Sequence, residues 1–226
     1  MDLQTHTWAI IPAKPFALGK SRLACVLDAS TRATLNRALF EHVFEVATAE
    51  LGPGRVAVVT ADADLLARVQ AQGAHAVREQ TADDLNVALA QATRYVASRG
   101  APAVLVLPSD LPYLSGGDIA VLRAAAGPAP CAAIAPDAAD EGTNALLLAP
   151  PDPDFFRFGA ASFAAHVEAG RTRGLATRIV RRPGLARDLD TPEDYRMFTE
   201  LPPVRWGLGR RDTPVATHRI NRGVQA

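Results

Sequence analysis

One buried strand with a polar end constrains the fold more than any other stretch of this chain. Residues 103–107 read Ala-Val-Leu-Val-Leu and lead directly into Pro108-Ser109-Asp110. An aliphatic run without polar alternation is typical of a strand covered on both faces, as in parallel sheets flanked by helices. In open sheets of this kind, ligands bind beyond the carboxyl ends of the strands. Asp110 stands at that position, where it either faces a ligand or only begins a turn, a common role for Asp beside Pro.

Alternating apolar runs and helical patterns continue along most of the chain. Thr191 as N-cap and Pro192 at the first helical position mark the last helix. The βαβαβα order predicts a largely parallel sheet with right-handed crossovers. The pattern predicts strands at 8–11, 56–60, 74–77, 103–107, 131–135, 144–148 and 177–180, and helices at 31–50, 62–73, 83–100, 115–126 and 162–171. We therefore predict one domain over residues 1–200 and a basic, loosely ordered tail over 201–226, where Pro, Arg and Gly become frequent.

The overall charge excludes two classes of partner. The 226 residues carry 24 basic and 24 acidic side chains, whereas general nucleic-acid and membrane-surface binders have an excess of Lys and Arg. The chain has no run of about 18 apolar residues, and its first residues lack the basic-then-apolar form of a signal peptide. Its two cysteines are too few for a disulfide scaffold. We expect a cytoplasmic protein that binds neither nucleic acid nor membrane, and a homodimer is left open.

A basic loop follows the first predicted strand. Two prolines and Gly19 exclude a regular helix there, and the loop carries Lys14, Lys20 and Arg22. Such a loop after a strand can hold phosphates, although Gly-Lys-Ser lacks the earlier glycine of a Walker A motif. The alternative is a solvated basic surface.

A second carboxylate cluster, Asp188-Leu189-Asp190, lies directly before the last helix. With the basic loop and Asp110 it would converge at one edge of the sheet. Hard cations such as Mg²⁺ take carboxylate oxygens and bridge phosphates, so the set predicts a nucleoside triphosphate with a divalent ion. Asp83 and Asp84 suit the start of a helix and are expected to cap it, whereas Asn86 in the first turn faces either a ligand or water. We expect the five histidines to be structural or solvated.

Five motifs resemble those of one enzyme family. They are Pro12-Ala13-Lys14 through Gly19-Lys20-Ser21-Arg22-Leu23, Asp84-Leu85-Asn86, Pro108-Ser109-Asp110-Leu111-Pro112, Gly142-Thr143-Asn144 and Asp188-Leu189-Asp190-Thr191-Pro192. In this order they resemble the guanylyltransferases of deazaflavin coenzyme F(420) biosynthesis, relatives of the molybdenum-cofactor guanylyltransferases and sugar-phosphate nucleotidyltransferases. The resemblance spans roughly residues 8–200. It implies a single Rossmann-like α/β domain of the GT-A nucleotidyltransferase type, with a mostly parallel sheet flanked by helices.

The resemblance also implies a reaction and a set of site residues. GTP would react with a phosphorylated three-carbon acid and release diphosphate. Asp110 and Asp190 would hold Mg²⁺. The matching positions are Lys14, Lys20 and Arg22 as catalytic residues, Lys20, Asn86 and Asp110 for the nucleotide, and Thr143, Gly159 and Ser162 for the acid. The glycine-rich loop of the wider nucleotidyltransferases is altered here, so contacts to the base do not transfer.

Several alternatives stay open from the sequence. The acids 2-phospho-L-lactate, phosphoenolpyruvate and 3-phospho-D-glycerate share a carboxylate and a phosphate; the alanine- and arginine-rich composition, typical of a GC-rich bacterial source, favours the last two on family grounds. The rival functions are another nucleotidyltransferase, such as a molybdenum-cofactor guanylyltransferase, and a nucleotide-binding module without turnover. At the acid site, Ser162 could merely cap its helix and Gly159 merely turn the chain.

Overall fold

A seven-stranded sheet flanked by six α-helices makes up the part of the chain that the computed structural model describes, residues 6–80 and 84–200. The tail predicted at 201–226 lies outside these residues, as does Asp83. The strands are β1 (Thr7–Pro12), β2 (Val56–Thr60), β3 (His75–Arg78), β4 (Ala103–Val106), β5 (Cys131–Pro136), β6 (Thr143–Ala149) and β7 (Ala176–Ile179). The helices are α1 (Ala29–Leu51), α2 (Ala63–Ala71), α3 (Leu85–Ala97), α4 (Gly116–Ala125), α5 (Ser162–Thr172) and α6 (Pro192–Glu200).

The strands lie in the order β3-β2-β1-β4-β6-β5-β7, and every pairing is parallel except the two that involve β6. The predicted α/β class with a mostly parallel sheet is therefore confirmed. Because β6 runs against its neighbours, its first residue, Thr143, lies at the edge where the other strands end. Asp110 follows β4 at the same edge, so the reversal of one strand brings two of the predicted site residues to one side of the sheet.

Both faces of the sheet are buried under helices, as the aliphatic run of β4 predicts. All four residues of β4 are fully buried, its neighbour β6 is buried throughout, and β1 on the other side is buried except at Trp8 and Pro12. One apolar cluster packs α1, α2 and α4 on one face, and a second packs α3 and α5 on the other. This two-sided core fixes the strand ends and hence the loops that carry the candidate site residues.

Most predicted element boundaries hold within a few residues, and the exceptions have local causes. The helices predicted to reach Gly73 and Gly100 end at Ala71 and Ala97, because both glycines adopt positive φ values of 78° and 81°. Helix α1 begins earlier than predicted, since Asp28 accepts a hydrogen bond from the backbone of Thr31 and acts as its N-cap. No helix among the described residues is long and apolar enough to cross a membrane.

Candidate active site

Lys20 joins the two carboxylates that were predicted to hold a metal. Its Nζ lies 2.7 Å from Oδ2 of Asp110 and 3.7 Å from Oδ1 of Asp190, and the Lys20 side chain is only 6% exposed. Arg22 pairs with the other oxygen of Asp190 at 2.6 Å, with its own side chain largely in solvent. The structure thus brings together residues that are 90 and 168 positions apart in sequence.

The basic loop is shaped by local backbone constraints. Lys20 has a left-handed conformation, with φ of 58°, and precedes a short 3₁₀ turn at Ser21–Cys25. A non-glycine residue in this region is uncommon and is held there by its surroundings. Asn36 on α1 donates to the carbonyl of Phe16, and a Cβ at Gly19 would come within 2.4 Å of the same amide. A side chain at position 19 would therefore displace the Asn36 amide, which holds this loop against α1.

The segment 188–190 is fixed against Asp110 through the backbone. The N–H of Leu189 donates to the carbonyl of Asp110 at 3.0 Å, and Leu189 itself is buried. Thr191 caps α6 as predicted, since its Oγ1 accepts from the N–H of Asp194, while Asp194 accepts from the N–H groups of Asp190 and Thr191. This reciprocal cap positions Asp190 immediately before the helix.

Asp188 is a third acidic residue that sequence reasoning noted but did not assign. Burial and, to a lesser degree, the nearby charge of Asp110 raise the pKa of its carboxyl from 3.8 to about 6, whereas Lys20 acts in the opposite direction. Any additional cation near Asp188 would stabilise the ionised form of its carboxyl group. The sequence signal was its position two residues before Asp190.

The carboxylate oxygens of Asp110 and Asp190 are suitable ligands for a divalent ion. Across the described residues, no three or more His, Cys, Asp or Glu side chains converge as a preformed metal site. Asp110 and Asp190 nevertheless share one buried ammonium group, so a positive charge already occupies the space between them. Mg²⁺ commonly takes one or two carboxylates and completes its shell with substrate phosphates and water. Two converging carboxylates satisfy that requirement.

A cleft of about 400 Å³ extends from these carboxylates across the ends of β1, β2 and β4. Its charged end is lined by Lys14, Lys20, Arg22, Asp110 and Asp190, and its other end by Val59, Glu79, Leu85 and Ala88. One charged end and one largely apolar end suit the phosphates and the base of a nucleotide. The predicted phosphate-binding residues thus line one cleft, in which Lys14 and Arg22 are exposed, and their contact with phosphates stays a prediction.

The predicted acid-binding residues lie on two neighbouring segments. Thr143 begins β6 and Ser162 begins α5; both are buried, whereas Gly159 is exposed. The two segments are joined where the N–H of Phe163 donates to the carbonyl of Glu141 at 3.1 Å. Ser162 is the first helical residue, and the N-cap is Ala161 in a left-handed conformation. Ser162 therefore does not occupy the N-cap position, and its contact with the acid stays a prediction.

Gly159 has the backbone conformation that glycine tolerates best. Its φ is 139°, and a Cβ built on it would meet open space. Packing therefore does not require glycine here; the backbone conformation does, and it leaves the backbone accessible to a ligand.

Asn86 connects the nucleotide cleft to this second region. Its amide donates to the carbonyl of Phe158 at 2.9 Å and accepts from the N–H of Phe158 at 2.8 Å. Leu85 and Ala88 on the same helix line the cleft. The structure thus places Asn86 against the backbone that precedes Gly159, and its predicted contact with a nucleotide stays a prediction. Asp84 caps α3 as expected, accepting from the N–H groups of Asn86 and Val87.

His166 at the centre of the acid-binding region was missed by sequence reasoning. It is fully buried, its Nδ1 lies 3.0 Å from Oγ1 of Thr143, and its Nε2 accepts from the N–H of Arg157 at 2.9 Å. The ring stacks on Phe155 and meets Phe158 edge-on. Burial, with a smaller effect of Arg157, lowers the pKa of His166 from 6.5 to about 4, so the ring is neutral near pH 7. No local pattern singles out this histidine, because its partners come from two other segments, the start of β6 and residues 155–158.

Comparisons with known proteins agree with this architecture. The chain is 42% identical over 187 residues to phosphoenolpyruvate guanylyltransferase of Rubrobacter xylanophilus, covering 83% of this chain and 90% of that protein. It is 35% identical over 188 residues to 2-phospho-L-lactate guanylyltransferase of Methanothermobacter thermautotrophicus, covering 83% and 82%.

Solved structures show the same fold at low sequence identity. A protein described as a nucleotide-diphospho-sugar transferase from Desulfovibrio desulfuricans superposes with a TM-score of 0.70 at 21% identity, over 86% of each chain. The CMP:2-keto-3-deoxy-manno-octonic acid synthetase in complex with CTP gives a TM-score of 0.57 at 17% identity, over 86% of this chain and 99% of that one. The sequence model of the guanylyl transferase CofC-like family matches residues 7–199, so this chain belongs to that family of nucleotidyltransferases.

Proposed function

We propose that this protein transfers GMP from GTP to phosphoenolpyruvate and releases diphosphate. The observation that carries the proposal is the position of Lys20 between Asp110 and Asp190, at the charged end of a nucleotide-sized cleft. The choice of acid follows the relative from Rubrobacter xylanophilus, which is more similar to this chain than the 2-phospho-L-lactate enzyme described above. 3-Phospho-D-glycerate and 2-phospho-L-lactate are the alternative acceptors that the sequence leaves open.

The reaction needs positioning and charge neutralisation more than a protein nucleophile. An oxygen of the acid's phosphate attacks the α-phosphorus of GTP, a new P–O bond forms, and the bond to the β-phosphate breaks with diphosphate leaving. The attacking oxygen is already anionic, so the step requires no general base. Lys14, Lys20 and Arg22 line the cleft where the triphosphate would lie and offset its charge.

Asp110 and Asp190 are the residues we assign to Mg²⁺, with Asp188 beside them. When bound, the ion supplies Lewis-acid stabilisation of phosphoryl oxygens. The protein's contribution is to hold the two carboxylates at fixed positions through the Leu189–Asp110 backbone bond and the α6 cap.

The acid would occupy the region around Thr143, Gly159 and Ser162. The helix dipole at the start of α5 favours an anion, and Gly159 leaves its backbone accessible. The Asn86–Phe158 hydrogen bonds place this loop beside the cleft, so the acid and the nucleotide would approach each other.

The proposal is tested by measuring diphosphate release from GTP with each of the three acids in turn, with Mg²⁺ present. We expect phosphoenolpyruvate to give the highest kcat/KM and ATP or CTP to replace GTP poorly. Binding of GTP without diphosphate release with any of the acids would instead indicate a nucleotide-binding module. Turnover only with a molybdopterin would assign the protein to the rival nucleotidyltransferase class.

A further inference from the structure

The hydrogen bonds of His166 determine the role of the Thr143 hydroxyl. A backbone N–H can only donate, so Nε2 of His166, which receives the N–H of Arg157, carries no hydrogen. In the neutral ring the hydrogen must then be on Nδ1, which lies 3.0 Å from Oγ1 of Thr143. Nδ1 donates and the hydroxyl accepts. The hydroxyl therefore keeps its own hydrogen for a second partner.

The surroundings of His166 prevent the ring from turning over. Phe155 stacks on it with an interplanar angle of 7° and a centroid separation of 5.9 Å, and Phe158 meets it at 69° and 4.7 Å. The ring is fully buried, so water cannot replace either partner. A turned ring would place carbons where the two nitrogens now lie, and the other tautomer, with its hydrogen on Nε2, would leave the N–H of Arg157 facing another N–H. Either change costs an unsatisfied donor.

We propose that His166 is a positioning residue that presents Thr143 as a dedicated hydrogen-bond donor to the phosphorylated acid. The inference rests on the proposed acid site, and it deepens that site by assigning the direction of one hydrogen bond. The same ring anchors the backbone at Arg157, two residues before Gly159. It thereby links the start of β6, the 155–159 segment and the first turn of α5.

Two substitutions separate the two hydrogen bonds of the ring. His166→Gln places an amide oxygen near Nε2, which keeps the acceptor for Arg157 but removes the donor to Thr143. His166→Asn places an amide nitrogen near Nδ1, which keeps that donor and removes the acceptor. His75→Gln is the matched control, because His75 begins β3 at the opposite edge of the sheet.

We expect His166→Gln to raise the KM for the acid about tenfold or more, as for loss of an aligned hydrogen bond to an anion, with the KM for GTP nearly unchanged. His166→Asn should raise it less, and His75→Gln should not change it. In a Thr143→Val background, which already lacks the hydroxyl, His166→Gln should have almost no further effect on this KM. Independent, multiplicative effects of the two substitutions would overturn the inference, because they would show that His166 does not act through Thr143.

The outcomes also separate this inference from the proposed acid site. If Thr143→Val raises the KM for the acid but His166→Gln does not, only the role of His166 is wrong. If neither variant changes it, the acid site itself is wrong and the inference fails with it. A readout on the wild-type protein covers variants that do not fold: ¹⁵N-edited NMR should show His166 with the hydrogen on Nδ1 near pH 7. A hydrogen on Nε2 would refute the proposal.

Discussion

Acidification should destabilise this fold through His166, by an amount that follows from the shifted pKa. The folded-state pKa is about 4, against 6.5 for an ordinary histidine, because burial disfavours the charged ring. Between these values the unfolded chain binds a proton that the folded chain does not, so stability falls as the pH falls. The contribution is complete above about pH 6.5 and is lost toward pH 4. The full shift corresponds to about 3 kcal/mol, of which about 2 kcal/mol is lost by pH 5.

The assay compares wild type with His166→Gln by urea unfolding at several values from about pH 8 to pH 5. Other titrating groups contribute equally to both proteins and cancel in the difference; Asp188, whose raised pKa gives the opposite slope, is one of them. The charged side chain that acts on His166 is Arg157, and it is present in both proteins. We expect the stability advantage of wild type over the variant to shrink by about 2 kcal/mol across this range. An advantage that is independent of pH would refute the reasoning, since the ring would then titrate alike in both states.

Four further predictions concern the cleft and the loop beside it. Asp110→Asn should lower kcat about 100-fold or more at saturating Mg²⁺ without changing Tm by more than a few degrees. Asp64→Asn is the control, and near-normal turnover of Asp110→Asn would show that Asp110 does not hold the metal. Lys20→Met should raise the KM for GTP. It should nevertheless strengthen the binding of Mn²⁺ alone, measured by electron paramagnetic resonance, because the ammonium no longer competes for the carboxylates. Weaker Mn²⁺ binding by the variant would contradict this competition. Lys14→Ala should impair turnover, and Lys14→Gln should impair it as well, because an amide lacks the positive charge. Wild-type kinetics in both variants would show that Lys14 has no role in the reaction. Asn86→Ala should raise the KM for the acid more than that for GTP, because both hydrogen bonds of its amide hold the loop before Gly159; the reverse order would support a direct nucleotide contact.

The fold could be predicted from sequence where a pattern is local. The aliphatic run before Asp110 predicted a buried strand, and Thr191-Pro192 predicted a helix start, because burial and capping act on neighbouring residues. The direction of β6 could not be predicted, because a buried strand has the same apolar sequence pattern whether it is parallel or antiparallel to its neighbours. That reversal matters, because it brings Thr143 to the same edge as Asp110.

The site was predictable only where a motif carried it. The basic loop and the two aspartates were singled out by residue type and by resemblance, but their convergence on Lys20 depends on contacts between distant segments. His166 was expected to be structural or solvated, and its full burial excludes the second. Its contacts with Thr143 and Arg157 exist only after β6 and α5 have packed together. A residue whose chemistry is created by tertiary contacts leaves no signal in a single sequence.

The position of Lys20 has a consequence for the order of events in the cleft. The ammonium of Lys20, whose side chain is nearly buried, offsets the negative charge of Asp110 and Asp190, two partly exposed carboxylates that would otherwise repel each other. A divalent ion that takes these carboxylates must displace the ammonium, and a displaced buried cation needs a new anionic partner. The triphosphate of GTP is such a partner. We therefore expect Lys20 to release the carboxylates when metal and nucleotide arrive together, and free metal alone to bind weakly to the wild-type protein.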